Sequence, residues 1–476
     1  MNLLSLTFAV FFMTSVICYY AVPEKMRWGI LLLFSLAFYV WSVPYLLIYL
    51  LFSAATTYLY GRWIEKSEKQ GKGLLGLVIG ANLAVLLFVK FYPLFEMKFH
   101  FPALNILMPM GISFYTLQVI AYCVDVSKGK TTAQRNFFKY LLFVSFFPQI
   151  LQGPIPRYSQ LKNQLFDGHA FDYRTVKFGF QLILWGMFLK MVIADRAAIF
   201  VNMVFPEYYL YEGTVLAVAA VLYSIQLYTD FLGCVCIAMG AAKVYGIDLQ
   251  TNFERPYLAV SVKDFWRRWH ISLSSWLRDY VYIPLGGNRK GKLRRYVNLM
   301  LTFFVSGIWH GSGMQYIFWG LMQGGYQIVG EVLEPLRSKV RFLLMVDAKS
   351  QMCVLWKRFC TFVMITISWV IFRSASLKAG LSMVKKIVTD VTPWVFFDGT
   401  LYQFGIEQKT FLAWILCVVL LAVIEHQQEK GNIREMLERQ HIIVRWGIYL
   451  GAIALVAILG VYGPGYSATQ FLYGQF

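Results

Sequence analysis

His310 is an ionisable residue in a strongly apolar part of this sequence. It belongs to the string Ser306-Gly-Ile-Trp-His-Gly-Ser-Gly313, at the middle of the longest uncharged stretch of the chain, 35 residues from Tyr296 to Gly330. An ionisable side chain within so much apolar sequence is expensive in a bilayer, so a functional role is the default hypothesis. An imidazole ordinarily titrates near the working pH and can take the proton of a hydroxyl that attacks a thioester. The residue therefore predicts acyl transfer.

Two glycines follow His310 and divide the uncharged stretch. Gly311 and Gly313 predict a break in the helix at mid-length. Non-helical backbone at membrane depth is tolerated only where it is buried in protein or lines a cavity, so the break favours a cavity beside His310. The alternative is a histidine that only packs between helices and donates to a carbonyl of a neighbour.

A second group of polar residues lies between positions 249 and 295, where the net charge is +7. Interpreted as one continuous helix, the segment has a polar sector opposite an apolar, tryptophan-rich side, and it should lie at the membrane interface or line a polar cavity. The polar sector holds Lys263, Arg267, His270, Ser274 and Arg278. One interpretation is an interfacial anchor that binds lipid headgroups. The other is a cytosolic mouth for a polyanionic donor such as coenzyme A, with Arg267, Arg268, Ser274 and Arg278 binding the donor.

The composition identifies the class of protein. Of 476 residues, 58% are hydrophobic and only 14% are charged, too few to cover a soluble globule of this size. Apolar runs recur along the chain and, at about 20 residues a span, predict roughly 10 to 12 transmembrane helices in an all-α polytopic membrane protein. The seven cysteines form no CxxC pair and no zinc spacing, so no metal site is expected.

The net charge of +19 has a simple explanation in topology and in contact with anionic membrane lipids. Nucleic-acid binding would need a soluble basic domain, and the sequence offers none. Lys and Arg alternate between loops: the N-terminus is uncharged, Lys25 and Arg27 follow the first apolar run, the next connection is uncharged, and the one after it is basic. Because basic loops stay in the cytoplasm, the N-terminus is expected outside.

Several strings together resemble the membrane-bound O-acyltransferase superfamily. The main ones are Lys263-Asp-Phe-Trp-Arg-Arg-Trp-His-Ile-Ser-Leu-Ser-Ser-Trp-Leu-Arg-Asp-Tyr-Val-Tyr-Ile-Pro-Leu-Gly-Gly-Asn288 and Gly307-Ile-Trp-His-Gly311. Supporting strings are Pro109-Met-Gly-Ile-Ser-Phe-Tyr-Thr-Leu-Gln118, Phe146-Phe-Pro-Gln-Ile-Leu-Gln-Gly-Pro-Ile155 and Asn252-Phe-Glu-Arg-Pro-Tyr257. More narrowly, the whole chain resembles the bacterial alginate O-acetylation branch, which is related to the D-alanylation branch for teichoic acids.

The resemblance implies a fold and an activity. It implies His310 as the catalytic histidine and His270 as the second signature histidine, in one membrane domain over 1–476. That domain would be a ring of transmembrane helices around re-entrant and interfacial ones, enclosing a tunnel across the membrane. Its parts would be N-terminal helices (1–108), a catalytic core (109–334), and C-terminal helices with an aromatic tail (335–476). The implied reaction takes an acetyl group from cytoplasmic acetyl-CoA, with no permanently bound cofactor, in a bacterial plasma membrane. An exported partner of the SGNH-hydrolase type would complete transfer to a polysaccharide.

The C-terminal string Phe471-Leu-Tyr-Gly-Gln-Phe476 resembles the aromatic tail of the alginate branch. In that interpretation, Tyr473 receives the acyl group before the partner takes it. The alternative is an aromatic belt at the membrane interface. The relay requires an outside C-terminus, which agrees with Lys430, Arg434 and Arg439 on the cytoplasmic side of the last apolar run.

Two other functions compete with acetyl transfer. D-alanyl transfer to teichoic acid would take its acyl group from a carrier-protein thioester, but the relatives in that system carry the aromatic tail on a separate chain. A transporter would line a substrate path with these polar groups without covalent chemistry. Transporters commonly contain inverted repeats, and the sequence shows no convincing internal duplication.

Overall fold

The structure is a computed structural model that describes residues 3–42, 44–67, 71–99, 108–150 and 152–462. Its regular elements are helices, and no strand occurs in these ranges, which confirms the all-α prediction. In chain order the α-helices are α1 Leu6–Ala21, α2 Glu24–Ser42, α3 Leu47–Lys66, α4 Lys72–Phe99, α5 Ile112–Ser127, α6 Phe137–Ser145, α7 Phe147–Ile150, α8 Tyr158–Phe166, α9 Tyr173–Met187, α10 Asp195–Val204, α11 Gly213–Val244, α12 Val262–Arg268, α13 Ile271–Leu277, α14 Gly291–His310, α15 Met314–Val332, α16 Glu334–Leu343, α17 Gln351–Arg373, α18 Leu377–Thr389, α19 Gln408–Gln428, α20 Ile433–Glu438 and α21 Ile442–Leu459.

Two π-helical segments interrupt this α-helical pattern. Phe188–Ala194 joins α9 to α10, and Arg278–Tyr282 follows α13. Within the described ranges, 6 helices are long and apolar enough to cross a membrane: Lys72–Pro93, Tyr173–Val204, Gly213–Val244, Gln351–Arg373, Gln408–Gln428 and Ile442–Leu459. Shorter apolar helices are Leu6–Ala21, Ile112–Ser127 and Phe137–Ile150. These helices agree with a polytopic membrane protein, and the total of roughly 10 to 12 spans stays a prediction.

The chain divides into two compact units. The first unit comprises Met1–Trp185 and Cys234–Thr251, and the second comprises Gly186–Gly233 and Asn252–Phe476. The sequence-based division at positions 108 and 334 stays a prediction.

Glycine allows two helices of the first unit to approach closely. A Cβ at Gly240 would lie 2.6 Å from the carbonyl oxygen of Gly179, so the backbones of α11 and α9 touch there.

The same unit holds the motif strings 109–118 and 146–155. The Gln118 side chain, at the end of the first string, donates to the Phe143 backbone carbonyl over 2.6 Å. Gly111 directly precedes α5 at φ +71°, and a Cβ there would collide with the carbonyl oxygen of Ile150. Small residues are typical of close packing between membrane helices.

In the second unit, α14 and α15 form a hairpin that holds His310 at its turn. The turn is short because α14 ends at His310 and α15 begins at Met314, which confirms the predicted break. The two helices pack backbone to backbone at glycines. A Cβ at Gly307 would lie 2.5 Å from the carbonyl oxygen of Tyr316, and one at Gly320 would collide with the carbonyl oxygen of Phe303.

We therefore expect Gly320→Ala to destabilise the protein. The added methyl group meets the backbone of α14, which cannot move aside as a flexible side chain would, and overpacking of this kind costs about 1–3 kcal/mol. Gly325→Ala on the same helix is the matched control, since a Cβ there meets nothing within 4 Å. The measurement is the thermal unfolding midpoint of each variant in detergent. Equal midpoints for both variants would show that the close crossing is unimportant.

A buried ion cluster lies in the π-helical segment Phe188–Ala194 and its neighbours. The Lys190 ammonium group is 2.7 Å from the Asp195 carboxylate and 2.5 Å from the Asp230 carboxylate, and all three side chains are at most 3% exposed. Burying charges is tolerated where they are paired in this way. The cluster joins α10 to α11. Its residues lie inside two candidate membrane spans, Tyr173–Val204 and Gly213–Val244.

The same π-helical segment offers backbone carbonyls to other helices. The Trp414 indole of α19 donates to the Ile193 carbonyl over 2.9 Å, and the backbone N–H of Val461, just after α21, donates to the Met191 carbonyl over 3.1 Å. π-Helical turns disturb the regular bonding pattern of an α-helix and are frequent at functional sites. Here the segment fixes α19 and the end of α21.

Candidate active site

His310 is the last residue of α14 and is 1% exposed. Three aromatic rings surround its imidazole edge to face: Trp309 with a centroid distance of 4.8 Å, Trp319 at 5.1 Å and Phe372 at 5.4 Å. Such rings restrict the imidazole to one orientation. The Tyr316 ring lies against Gly311 so closely that a Cβ at Gly311 would overlap it. The predicted break is thus a turn in which the Tyr316 ring packs against Gly311, and the cavity beside His310 stays a prediction.

A chain of buried hydrogen bonds holds the helices around that imidazole. The Trp266 indole of α12 donates to the side-chain oxygen Oε1 of Gln323 over 3.1 Å, and the side-chain nitrogen Nε2 of Gln323 donates to the Ser368 hydroxyl of α17 over 2.7 Å. Gln323 and Ser368 are both fully buried. The Gln323 side chain accepts one hydrogen bond and donates the other, and these two bonds tie α12, α15 and α17 together. Trp319 and Trp369 stack between the same helices with centroids 5.6 Å apart.

The segment around His270 differs from the predicted continuous helix. α12 ends at Arg268, Trp269 is extended, and His270 adopts the left-handed conformation at φ 46° and ψ 53° before α13 begins. The prediction that the polar residues on either side of this break share one face of a single helix is therefore wrong. The physical reason is tertiary: Asn252 accepts hydrogen bonds from His270 Nδ1, from the Ser272 hydroxyl and from the N–H groups of residues 271 and 272, which in a continuous helix would donate to carbonyls of α12.

His270 is as buried as His310, at 1% exposure. Its ring packs edge to face against Phe231 with a centroid distance of 4.8 Å. The short helices α12 and α13 lie outside the six candidate spans. Burial lowers the pKa of the His270 imidazole to about 3, so the ring is neutral at physiological pH. A neutral ring does not bind phosphate as a cation would.

The two histidines meet at one indole. The Trp309 ring is 4.8 Å from the His310 ring and 6.1 Å from the His270 ring, centroid to centroid. These residues lie 40 positions apart in the chain, yet the fold brings them to the same side chain. The arrangement places two buried imidazoles around a common aromatic wall. It can supply proton transfer and orientation to a reaction between a hydroxyl and an activated acyl group.

The four candidate donor-binding residues have different surroundings. Arg267 is exposed, and Arg268 is half-buried with its guanidinium 3.1 Å from the Asp264 carboxylate. Ser274 donates to the Trp269 carbonyl over 3.3 Å, and Arg278 is exposed beside Asp279 at 2.9 Å. The carboxylates at 264 and 279 compete with any bound phosphate for two of the arginines. Donor binding by this group stays a prediction.

Tyr473 lies outside the described residues. The segment that precedes it is attached at two points of the second unit. The Val461 N–H donates to the Met191 carbonyl, and the Arg196 guanidinium donates to the Leu459 carbonyl over 2.6 Å. The part of the chain that the structure describes contains no group of three His, Cys, Asp or Glu residues that could hold a metal ion.

Sequence reasoning missed two features of this unit. The motif string that contains Asn252 gives no sign that this residue binds His270 directly. The second feature is the ion cluster of Lys190, Asp195 and Asp230. Its signal was available, since charged residues inside the apolar runs 178–204 and 214–239 are expensive and need partners.

Comparison with known proteins gives consistent matches. The family described as MBOAT, membrane-bound O-acyltransferase family, matches residues 132–376, which include both histidines. Peptidoglycan O-acetyltransferase of Helicobacter pylori is 35% identical over 393 residues, covering 75% of this chain and 73% of the relative. Probable alginate O-acetylase AlgI of Pseudomonas aeruginosa is 34% identical, covering 77% and 70%. Teichoic acid D-alanyltransferase of Bacillus subtilis is 29% identical, covering 62% and 77%.

Proposed function

Because this chain belongs to the membrane-bound O-acyltransferase family, we propose that it moves an acetyl group from cytoplasmic acetyl-CoA to hydroxyls of an extracytoplasmic polysaccharide. Membership confirms the resemblance drawn from the motifs and makes the protein an O-acyltransferase rather than a transporter. The observation that carries the proposal is the pair of buried histidines around Trp309. Peptidoglycan and alginate, named for relatives of this chain, are both polysaccharides and support that acceptor class.

His310 is the proposed general base. Its imidazole takes the proton of the attacking hydroxyl, the hydroxyl oxygen bonds to the thioester carbonyl carbon, and the carbon–sulfur bond breaks. The imidazolium then returns the proton to the thiolate, so the products are an ester and free coenzyme A. His270, with Arg267, Arg268, Ser274 and Arg278, lies around the donor. No permanently bound cofactor takes part.

The proposed topology places both termini outside the bacterial plasma membrane. Lys430, Arg434 and Arg439 precede α21 and are expected in the cytoplasm, so α21 would lead the C-terminal segment outward. There, Tyr473 would carry the acetyl group as an ester until an exported protein of the SGNH-hydrolase type transfers it to the glycan. The attachment of Val461 to Met191 supports a fixed starting point for that segment.

The first experiment tests the donor. Purified protein in lipid nanodiscs receives acetyl-CoA labelled in the acetyl group, without any carrier protein, and release of free coenzyme A is followed over time. We expect slow hydrolysis or self-acetylation, because the thioester is the activated form of the acyl group. D-alanyl transfer remains the second candidate, supported by the similarity to teichoic acid D-alanyltransferases. Turnover only with a D-alanyl carrier-protein thioester would support that function instead.

The second experiment tests the relay. We expect Tyr473→Phe to lose covalent acetyl label and to stop polysaccharide acetylation in cells, because phenylalanine has no hydroxyl to esterify. The aromatic ring is retained, so docking through the ring is preserved. Tyr462→Phe is the matched control near the start of the same segment. Normal polysaccharide acetylation by Tyr473→Phe would show that the tail is only a docking element.

A further inference from the structure

Asn252 lies at the start of the string Asn252-Phe-Glu-Arg-Pro-Tyr257 and is 1% exposed. Its side-chain oxygen accepts three hydrogen bonds: from the Ser272 N–H over 3.1 Å, from the Ser272 hydroxyl over 2.8 Å, and from Nδ1 of His270 over 3.2 Å. Its backbone oxygen accepts from the N–H of Ile271 over 2.9 Å. One residue thus binds three consecutive positions at the start of α13.

These contacts fix the orientation of the amide. A backbone N–H can only donate, so the atom that faces Ser272 is the oxygen of Asn252 and not its nitrogen. That oxygen carries no proton and cannot donate to His270. The proton in the contact between Asn252 and His270 is therefore on Nδ1 of the imidazole.

The backbone of His270 also depends on Asn252. Left-handed conformations are uncommon outside glycine and persist where the surrounding structure holds them. The bonds from Asn252 to positions 270, 271 and 272 supply that restraint. The imidazole is thereby fixed in position as well as in tautomer.

We propose that Asn252 is a positioning residue that keeps the proton of His270 on Nδ1 and makes Nε2 an acceptor of an O–H or N–H group of the bound substrates. A ring in this state does not donate to the thioester carbonyl through Nε2. The proposal deepens the proposed function, on which it rests for the identity of the substrates. It changes the role of His270 from a general neighbour of the donor to a hydrogen-bond acceptor.

The first test observes the tautomer directly. Protein labelled with ¹⁵N-histidine has six histidines to resolve, and His270→Asn assigns the signal of interest. We expect wild-type His270 to have a protonated Nδ1 and an unprotonated Nε2. A wild-type protein with the proton on Nε2 overturns the proposal without any further variant. This reading needs no substrate, so it stands even if acetyl-CoA proves not to be the donor.

The second test uses variants of Asn252. Asn252→Leu keeps the approximate size but removes the acceptor, whereas Asn252→Asp keeps an acceptor oxygen. Per folded molecule, we expect Asn252→Leu to lose about 10- to 100-fold in kcat or kcat/KM for acetyl-CoA, as when a group that orients a functional imidazole is removed. Asn252→Asp should recover most of that loss and keep the Nδ1–H tautomer. Ser272→Ala is the matched control, because it removes one donor to the same oxygen and leaves His270 in place.

Whether the substitution changes KM or kcat identifies the group that donates a hydrogen bond to Nε2. A higher KM for acetyl-CoA in Asn252→Leu indicates an N–H or O–H of the donor, and a lower kcat at unchanged KM indicates the attacking hydroxyl. Wild-type kcat and KM in Asn252→Leu would overturn the proposal. If Asn252→Leu does not fold, failure of Asn252→Asp to keep the Nδ1–H signal overturns it equally.

Discussion

Substitution of His310 by alanine should reduce acetyl transfer by about 10²–10⁴-fold, the usual contribution of a general base. The imidazole is buried, and its ring is held among Trp309, Trp319 and Phe372. The three rings pack around the imidazole, so the proton acceptor lost in the alanine variant is not easily replaced by a neighbouring group. The measurement is the initial rate of acetyl-CoA turnover by purified protein, normalised to the folded fraction.

His310→Phe separates chemistry from packing. Phenylalanine keeps a ring for the three edge-to-face contacts but cannot accept a proton, so the variant should be inactive with an unfolding midpoint near that of wild type. His426→Ala is the control for loss of a histidine elsewhere, since the side chain of His426 is 63% exposed. If His310→Phe is stable and retains full activity, His310 is not the base.

The second large effect concerns stability. Lys190→Met should reduce the free energy of unfolding by about 3–5 kcal/mol, the usual cost of removing one partner from a buried ion pair. The Lys190 ammonium group contacts both the Asp195 and the Asp230 carboxylates, so its loss leaves two buried acids without their shared cation. Methionine is similar in length, which limits the change in packing. Thermal or denaturant unfolding in detergent gives the measurement.

The chain contains its own comparison for this prediction. Lys243 contacts Asp248 over 2.6 Å, but the Asp248 side chain is 70% exposed. Exposed pairs contribute about 0–1 kcal/mol, so Lys243→Met should change the midpoint little. Adding Asp230→Asn to Lys190→Met should recover part of the loss, because it removes one of the two remaining carboxylates. Equal midpoints for Lys190→Met and Lys243→Met would show that the buried cluster does not support the fold.

The sequence predicted those parts of the site that depend on local chemistry. Gly311 and Gly313 favour a break, and the structure ends α14 at His310 and begins α15 at Met314. The uncharged stretch also predicted a functional role for His310, which stays a prediction. Its neighbours Trp319 and Phe372 were beyond prediction, because they come from other helices through packing that no local pattern encodes.

The segment around His270 shows the limit of periodicity. A helical wheel assumes that the helix continues, and nothing within residues 263–278 contradicts that assumption. The interruption depends on Asn252, which lies 18 positions earlier and competes with the helix for the backbone N–H groups of residues 271 and 272. A competition of that kind is decided by tertiary structure.

The left-handed backbone of His270 affects how an alanine scan of this protein should be interpreted. Histidine and asparagine adopt left-handed conformations several-fold more often than most residues, so at φ 46° alanine carries a conformational cost that has nothing to do with the imidazole. His270→Ala would therefore combine a conformational penalty with a chemical loss, and it would exaggerate the importance of the ring. At this position, asparagine rather than alanine is the neutral reference for a deletion experiment.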